Sequence, residues 1–147
     1  MKTVYRLRED HEHIAKVQAA TLSPKPFGLK ATNGLFGSEQ WWCNIETGVI
    51  PIIRVTGTIT RLFRSGMHNE SESFEMLTSD GQNFQYDCIA ADRGDRKLYR
   101  VSAQVELFFV RQELKRPVMT TTGEVHDSHS RSLIEIRIST AQQSACT

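Results

Sequence analysis

The densest group of side chains that could bind a metal or transfer a proton lies in residues 124–129, which hold a glutamate, an aspartate and two histidines. His126 and His129 would share one face of a helix, and Asp127 could orient a neighbouring imidazole. Catalytic groups need rigid support, however, and this cluster lies within a long polar stretch, residues 115–131. We therefore interpret it as the tip of a polar arm and expect no catalytic or metal site there.

The remaining candidates for catalysis or metal binding are weak. Cys43, Cys88 and Cys146 are far apart, whereas a disulfide framework or a zinc ribbon needs close pairs. His11 and His13 are two positions apart, so on a helix they would point in different directions. No phosphate loop, nucleophile elbow or His-Glu-x-x-His segment occurs. We predict a protein that is not an enzyme and that uses no cofactor.

Two further groups could contact a ligand or a partner. The first is a pair of adjacent tryptophans, Trp41 and Trp42, on a short helix that Ser38 caps and Gly48 ends. Such a pair can stack on a ligand, but more often it fills one end of a small core. The second is a group of four cations that could form a nucleic-acid patch: Arg93, Arg96, Lys97 and Arg100. Two aspartates interrupt this group, which favours a solvated surface.

The length, composition and charge of the chain limit the classes of protein to which it can belong. The chain has 147 residues, 39% of them apolar, and a formal charge of +1. We expect a single domain without a global field that would attract nucleic acid or an anionic membrane. No apolar run resembles a signal peptide or is long enough to span a bilayer, so we expect a cytoplasmic protein with no membrane partner.

The predicted elements divide the chain into three parts. Residues 1–50 form an extension with a helix over 9–22 and the short helix that carries the tryptophans. Residues 51–140 form a β-barrel that starts with a long strand over 52–63, bent at Gly57. On that strand we expect Ile59 and Phe63 on one face and Thr60 and Arg64 on the other. Residues 141–147 form a disordered tail.

From residue 52 onward the order of elements resembles the OB-fold. The segments that carry the likeness are residues 55–59, the Ser79-Asp80-Gly81 turn and residues 99–107. The resemblance implies a mainly β protein with a small barrel of five to six strands, although an SH3-like barrel uses the same pattern. The two helical segments before residue 52 lie outside the resemblance.

An OB-like barrel implies a binding face on the outer side of its second and third strands, suited to single-stranded nucleic acid or oligosaccharide. That face is predicted from the inward set Phe74, Met76, Phe84, Tyr86 and Cys88. Its outer residues are then Glu75, Leu77, Asn83, Gln85 and Asp87. This outer set has two carboxylates, no cation and no aromatic ring, and therefore argues against nucleic acid at the usual site.

We thus predict a binding module that recognises a protein partner or associates with itself. The features that favour this function are the appendages around the barrel: the loop before the tryptophans, the tryptophan helix and the arm over 115–131. Two alternatives stay open. One is nucleic-acid binding through the four-cation group, and the other is a small ligand in a pocket near the tryptophan pair.

Overall fold

The computed structural model describes residues 1–24, 29, 31, 33–66, 71–119 and 125–140. The described chain is mainly β, with one antiparallel six-stranded sheet and few helices. The strands are β1 (Lys2–Arg6), β2 (Ile52–Ser65), β3 (Ser71–Thr78), β4 (Asn83–Asp87), β5 (Gln104–Met119) and β6 (Val125–Ile138). The helices are α1 (His11–Leu22), α2 (Glu39–Glu46) and the short 3-10 helices Leu7–Glu9 and Arg93–Leu98.

The strand order is β1-β6-β5-β2-β3-β4, so the sheet is open, with β1 and β4 at its ends. The predicted mainly β class is confirmed, whereas the predicted closed OB-like barrel is not. Closure would need a ladder between the two end strands. Instead, β4 ends at Asp87, and the Ala91 amide further along donates a hydrogen bond of 2.9 Å to the Val4 carbonyl. Strand β1, which the sequence pattern did not predict, pairs with β6.

The chain separates into two compact units. Unit 1 consists of Met1–Arg6, Arg54–Phe108 and the segment from Glu135 onward; unit 2 consists of Leu7–Ile53 and Phe109–Ile134. Strands β5 and β6 each contribute residues to both units. The largest fully buried side chains of unit 1 are Phe74, Ile59, Met76, Leu107, Ile136, Ile138 and Val105.

In unit 1, β2 and β3 pair in antiparallel register with an irregularity between Ile59 and Arg61. The extra residue at this bulge reverses the alternation of side chains along β2. Leu62 therefore lies opposite buried Phe74, and Phe63 lies opposite Ser73 on the other face. The prediction that Phe63 shares the face of Ile59 was wrong for this reason. The pairing register is unbroken at Gly57, where we expected a bend, and its irregularity lies three residues later, at Thr60.

Gly57 serves a different purpose, the close approach of two strands. A Cβ at this position would lie 2.6 Å from the Leu77 carbonyl oxygen and 3.0 Å from the Thr78 Cα, both on β3. Real Cβ atoms do not tolerate such contacts with backbone, so a side chain here would push β3 away.

The predicted hairpin between β3 and β4 is confirmed. Gly81 has φ of +88°, and its amide donates to the Thr78 carbonyl at 2.9 Å. Of the turn residues only Gly81 has a positive φ, as in a three-residue hairpin loop that ends in the left-handed region. The register places Phe74 opposite Tyr86 and Met76 opposite Phe84, which is the predicted inward set.

In unit 2, α2 begins after Ser38, whose side chain accepts a hydrogen bond from the Trp41 amide at 3.2 Å. Gly48 has φ of +85° just past the helix end, as predicted. Helix α1 starts at His11, two residues later than expected, because the Asp10 carboxylate accepts from the His13 amide. The core of unit 2 comprises Leu7, Leu29, Phe36, Trp41, Trp42, Ile45, Ile50, Phe109 and Val110.

The polar stretch over 115–131 is largely strand rather than loop. Strand β5 runs to Met119 and β6 starts at Val125, whereas the alternation of apolar residues predicts that the last strand starts seven residues later, at Ser132. The two strands are neighbours in the sheet. Residues 120–124 between them, and the tail predicted at 141–147, lie outside the described residues.

The close approach at Gly57 predicts that Gly57→Ala destabilises the protein. We expect the free energy of unfolding to fall by about 1–3 kcal/mol, since the added methyl group meets backbone that must shift. Urea denaturation measures this change. The neighbouring substitution Thr58→Val, at an exposed position of the same strand, serves as the control and should change the free energy by less than about 0.5 kcal/mol. Equal stability of the two variants would contradict the argument.

A buried hydrogen bond in unit 2 gives a second prediction. The Trp41 indole N–H donates to the Gln112 Oε1 at 3.1 Å, and both side chains are buried. Gln112→Met keeps the volume but leaves the indole donor unsatisfied, which should cost about 1–3 kcal/mol in unfolding free energy.

A double-mutant cycle with Trp41→Phe separates this cost from packing. In the Trp41→Phe background the donor is already gone, so adding Gln112→Met should cost clearly less than it does in the parent. The same cost in both backgrounds would show that the hydrogen bond is not the cause.

Candidate functional site

A groove of about 400 Å³ opens in unit 1 where β2, β3, the segment after β4 and the 3-10 helix Arg93–Leu98 come together. An adjoining cavity of about 420 Å³ shares Arg64, Glu72, Cys88 and Arg96 with it. Both volumes lie within the range of ordinary ligand or side-chain pockets. The groove is lined by Leu62, Phe63, Arg64, Glu72, Ser73, Cys88, Arg96, Lys97 and Tyr99.

Tyr99 holds the 3-10 helix beside the sheet. Its ring stacks on buried Phe74 with 5.4 Å between centroids, and its hydroxyl donates to the Ile89 carbonyl at 2.5 Å. Burial raises the pKa of the Tyr99 hydroxyl far above its ordinary value. The residue is therefore a neutral, fixed part of the groove wall.

The groove also contains a buried polar residue with satisfied hydrogen bonds. Ser73 is only 3% exposed. Its hydroxyl donates to Asp87 Oδ1 at 3.1 Å, and the hydroxyl oxygens of Ser73 and Ser65 lie 2.7 Å apart. Such a connected network holds its members in one arrangement. The base of the groove is thus preorganised.

Cys88 is the only cysteine with a described place in the groove, and it is buried. Burial, together with the nearby carboxylates of Glu72 and Asp87, raises the pKa of its thiol to about 12. A nucleophilic cysteine needs the opposite, a lowered pKa beside cations. Cys88 therefore contributes a small, protonated side chain and no chemistry, in line with its interpretation as a packing residue.

The charges around the groove are unbalanced. Arg64 approaches Glu72 at 3.9 Å, with both side chains more than half exposed, so this pair is weak. Arg96 and Lys97 are exposed and form no ion pair among the described residues. Three cations and one carboxylate thus line the groove.

Most other cations of unit 1 already have carboxylate partners. Lys2 contacts Asp95 at 2.7 Å, Arg54 pairs with Glu106, and Arg61 contacts Glu75 at 3.0 Å. Arg137 pairs with Glu135. Among the described residues of unit 1, the 3-10 helix beside the groove carries three cations without an ion pair, Arg93, Arg96 and Lys97, while its Asp95 pairs with Lys2.

The four-cation group predicted from the sequence does not act as one surface. Arg96 and Lys97 line the groove, and Arg93 is exposed on the same short helix. Arg100, by contrast, donates to the carbonyls of Leu98 and Thr140 at 3.1 and 3.3 Å. Its guanidinium is engaged in holding two backbone segments of unit 1 together.

The structure places both tryptophans in the core of unit 2. Trp41 is fully buried between Phe36 and Trp42, with ring centroids 4.6 and 4.8 Å away. Trp42 is 8% exposed, and the Arg8 guanidinium covers it at 4.2 Å from the ring centroid. Neither indole offers an open face for stacking on a base or a sugar.

The outer face of β3 and β4 is as polar as predicted, but β2 adds a cation to it. Glu75 accepts hydrogen bonds from Gln85 at 2.8 Å and from Arg61 at 3.1 Å. These hydrogen bonds, that of Gln85 first, lower the pKa of the Glu75 carboxyl. The Arg61–Glu75 pair therefore neutralises one of the two carboxylates predicted on this face.

The described residues contain no group of three or more His, Cys, Asp or Glu side chains placed to hold a metal ion. The side chains of residues 124–129 lie outside the described residues. The expectation that this cluster is not a metal site therefore stays a prediction. In the part of the chain that the structure covers, no helix is long and apolar enough to cross a membrane.

Sequence reasoning missed the groove itself. Leu62, Cys88 and Tyr99 come from three separate segments, and none belongs to a motif. The sequence pointed to the groove only through the basic residues of the 3-10 helix. It grouped them with Arg100, which has a structural role.

The environment of Cys88 gives a prediction for thiol chemistry. At pH 8 a pKa of about 12, instead of the ordinary value of about 9, leaves about a thousandfold less thiolate. Iodoacetamide should therefore alkylate exposed Cys43 at least tenfold faster than Cys88 in the folded protein, as measured by peptide mass spectrometry. In 6 M guanidinium chloride the two rates should converge. Equally fast alkylation of both cysteines in the folded state would contradict the assigned environment.

Comparison with known families bears on the kind of partner. The family model described as Immunity protein RhsI2 matches residues 1–139, nearly the whole chain. No curated protein matches the chain. Immunity proteins act by binding another protein and are not typically catalytic, so the match supports the predicted protein-binding function. The chain belongs to the RhsI2 immunity protein family.

Proposed function

We propose that this chain binds a Rhs toxin and neutralises it by forming a stoichiometric complex. The observation that carries the proposal is the family match over residues 1–139, because an immunity protein is defined by the toxin it binds. The described residues fit a binding protein, since they combine a hydrogen-bonded β-sheet with an open, charged groove. Scaffolds of this kind keep interface residues in place before the partner arrives.

Neutralisation sets a requirement on affinity. A toxin must stay bound at the low concentrations found in a cell, which calls for a Kd of about 1 nM or less, a binding free energy of roughly −12 kcal/mol. Affinity of this size needs a few well-buried anchor residues inside a larger contact area. The groove supplies one place for such an anchor.

The experiment is a binding measurement with a defined partner, the purified toxin domain of the Rhs protein from the same organism, in a variant without toxic activity. We expect a 1:1 complex in size-exclusion chromatography with light scattering, and a Kd of about 1 nM or tighter by biolayer interferometry. Co-production of the chain should also restore the growth of cells that produce the active toxin domain. A toxin domain of a different Rhs protein serves as the specificity control.

Absence of a complex with the cognate toxin domain would overturn the proposed function. The same light-scattering run measures the mass of the free chain, which bears on the predicted self-association. A strict monomer at high concentration would remove that part of the prediction. Location in the cytoplasm stays a prediction of the sequence.

A further inference from the structure

We propose that the groove is the surface that receives the toxin, and that its occupant is an acidic segment of the toxin carrying one protruding apolar side chain. This inference rests on the proposed function and adds to it the position of the interface and the chemistry of the partner. Two independent properties of the groove carry it, its uncompensated charge and its exposed apolar wall.

The charge argument starts from the cations that have no partner. Arg96 and Lys97 line the groove and Arg93 lies on the same helix, and none of the three has an ion pair among the described residues. Elsewhere in unit 1, Lys2, Arg54, Arg61 and Arg137 contact carboxylates, and Arg100 donates to backbone carbonyls. A partner that supplies carboxylates would complete this side of the groove and would be steered toward it.

The apolar argument starts from Leu62. Its side chain is 47% exposed, although its neighbour across the strands, Phe74, is fully buried. Together with Cys88 and Tyr99 it gives the groove an apolar wall beside the cations. A pocket of about 400 Å³ has room for a large side chain from a partner. An apolar anchor in a pocket, surrounded by charged residues, is the usual arrangement of an interface hot spot.

The same observations disfavour a nucleic acid as the occupant. Two aromatic rings line the groove. Tyr99 is only 4% exposed and already stacks on Phe74, and Phe63 is half-buried with the Arg61 guanidinium 4.5 Å from its ring centroid. Single-strand binding needs exposed rings as well as cations. A protein segment requires only complementary charge and an apolar side chain.

The test compares matched variants in the binding measurement with the inactive toxin domain. The charge variant is Arg96→Glu with Lys97→Glu, and its control is Lys16→Glu with Arg111→Glu, which makes the same change in net charge at exposed positions outside the groove. We expect the charge variant to weaken binding at least about tenfold, mainly through slower association, and to reduce its salt dependence. The control should bind as the parent does.

A second variant, Leu62→Asp, tests the apolar contact. We expect it to weaken binding about tenfold or more through faster dissociation, because it removes an anchor rather than a steering charge. Circular dichroism and thermal unfolding of every variant show whether the fold is retained. If Leu62→Asp does not fold, the charge variant and its control, which change only exposed residues, still show whether the groove is the interface.

The outcomes separate the two proposals. If the parent binds the toxin domain and the charge variant binds as tightly as its control, the groove is not the interface, while the proposed function stands. If the parent does not bind, the proposed function fails and the groove assignment falls with it.

Fluorescence anisotropy with labelled single-stranded DNA tests the alternative occupant, a nucleic acid. Salt-sensitive DNA binding that the charge variant loses, with toxin binding unchanged, would make the basic rim a nucleic-acid site and overturn the inference.

Discussion

The pairing of β2 with β3 is the interaction on which the rest of unit 1 depends. At Gly57 the two strands approach so closely that no side chain fits between them. Three residues later the bulge at Thr60 changes the face to which every following side chain of β2 belongs. The close contact at Gly57 and the bulge at Thr60 thus determine the register between β2 and β3. They also determine which side chains of β2 face the groove.

The groove is a consequence of that register. Without the bulge, strict alternation would direct Leu62 and Arg64 to the same face as Thr60, and Arg61 would lie opposite Phe74. With it, Leu62 lies opposite Phe74, and Arg64 lies opposite Glu72. The 3-10 helix then closes the other side of the groove, held by the stacking of Tyr99 on Phe74. One inserted residue in a strand therefore decides which side chains line the groove.

Paired and unpaired charges separate the structural residues from the functional candidates. Arg100 looked like a member of a basic patch, but its guanidinium donates to backbone carbonyls and holds two segments together. Arg96 and Lys97 have exposed head groups without a carboxylate partner among the described residues. In unit 2 both tryptophans are structural residues, since their rings are buried and Trp41 donates a hydrogen bond to Gln112. The charge or aromaticity of a side chain therefore did not show whether it is structural or available for binding. The groups that it contacts in the folded protein showed this.

The sequence by itself determined the local features of this protein. The Asp80-Gly81 turn, the Ser38 cap of α2 and the inward set of β3 and β4 were predictable, because each depends on residues that are neighbours along the chain. The mainly β class was predictable from the alternating pattern of the strands, whereas protein binding was one of three functions that the sequence left open. Tertiary structure alone decided that the sheet stays open, that β1 pairs with β6 and that a bulge lies at Thr60. These features depend on contacts between distant segments, and the groove joins side chains up to 37 positions apart, from Leu62 to Tyr99.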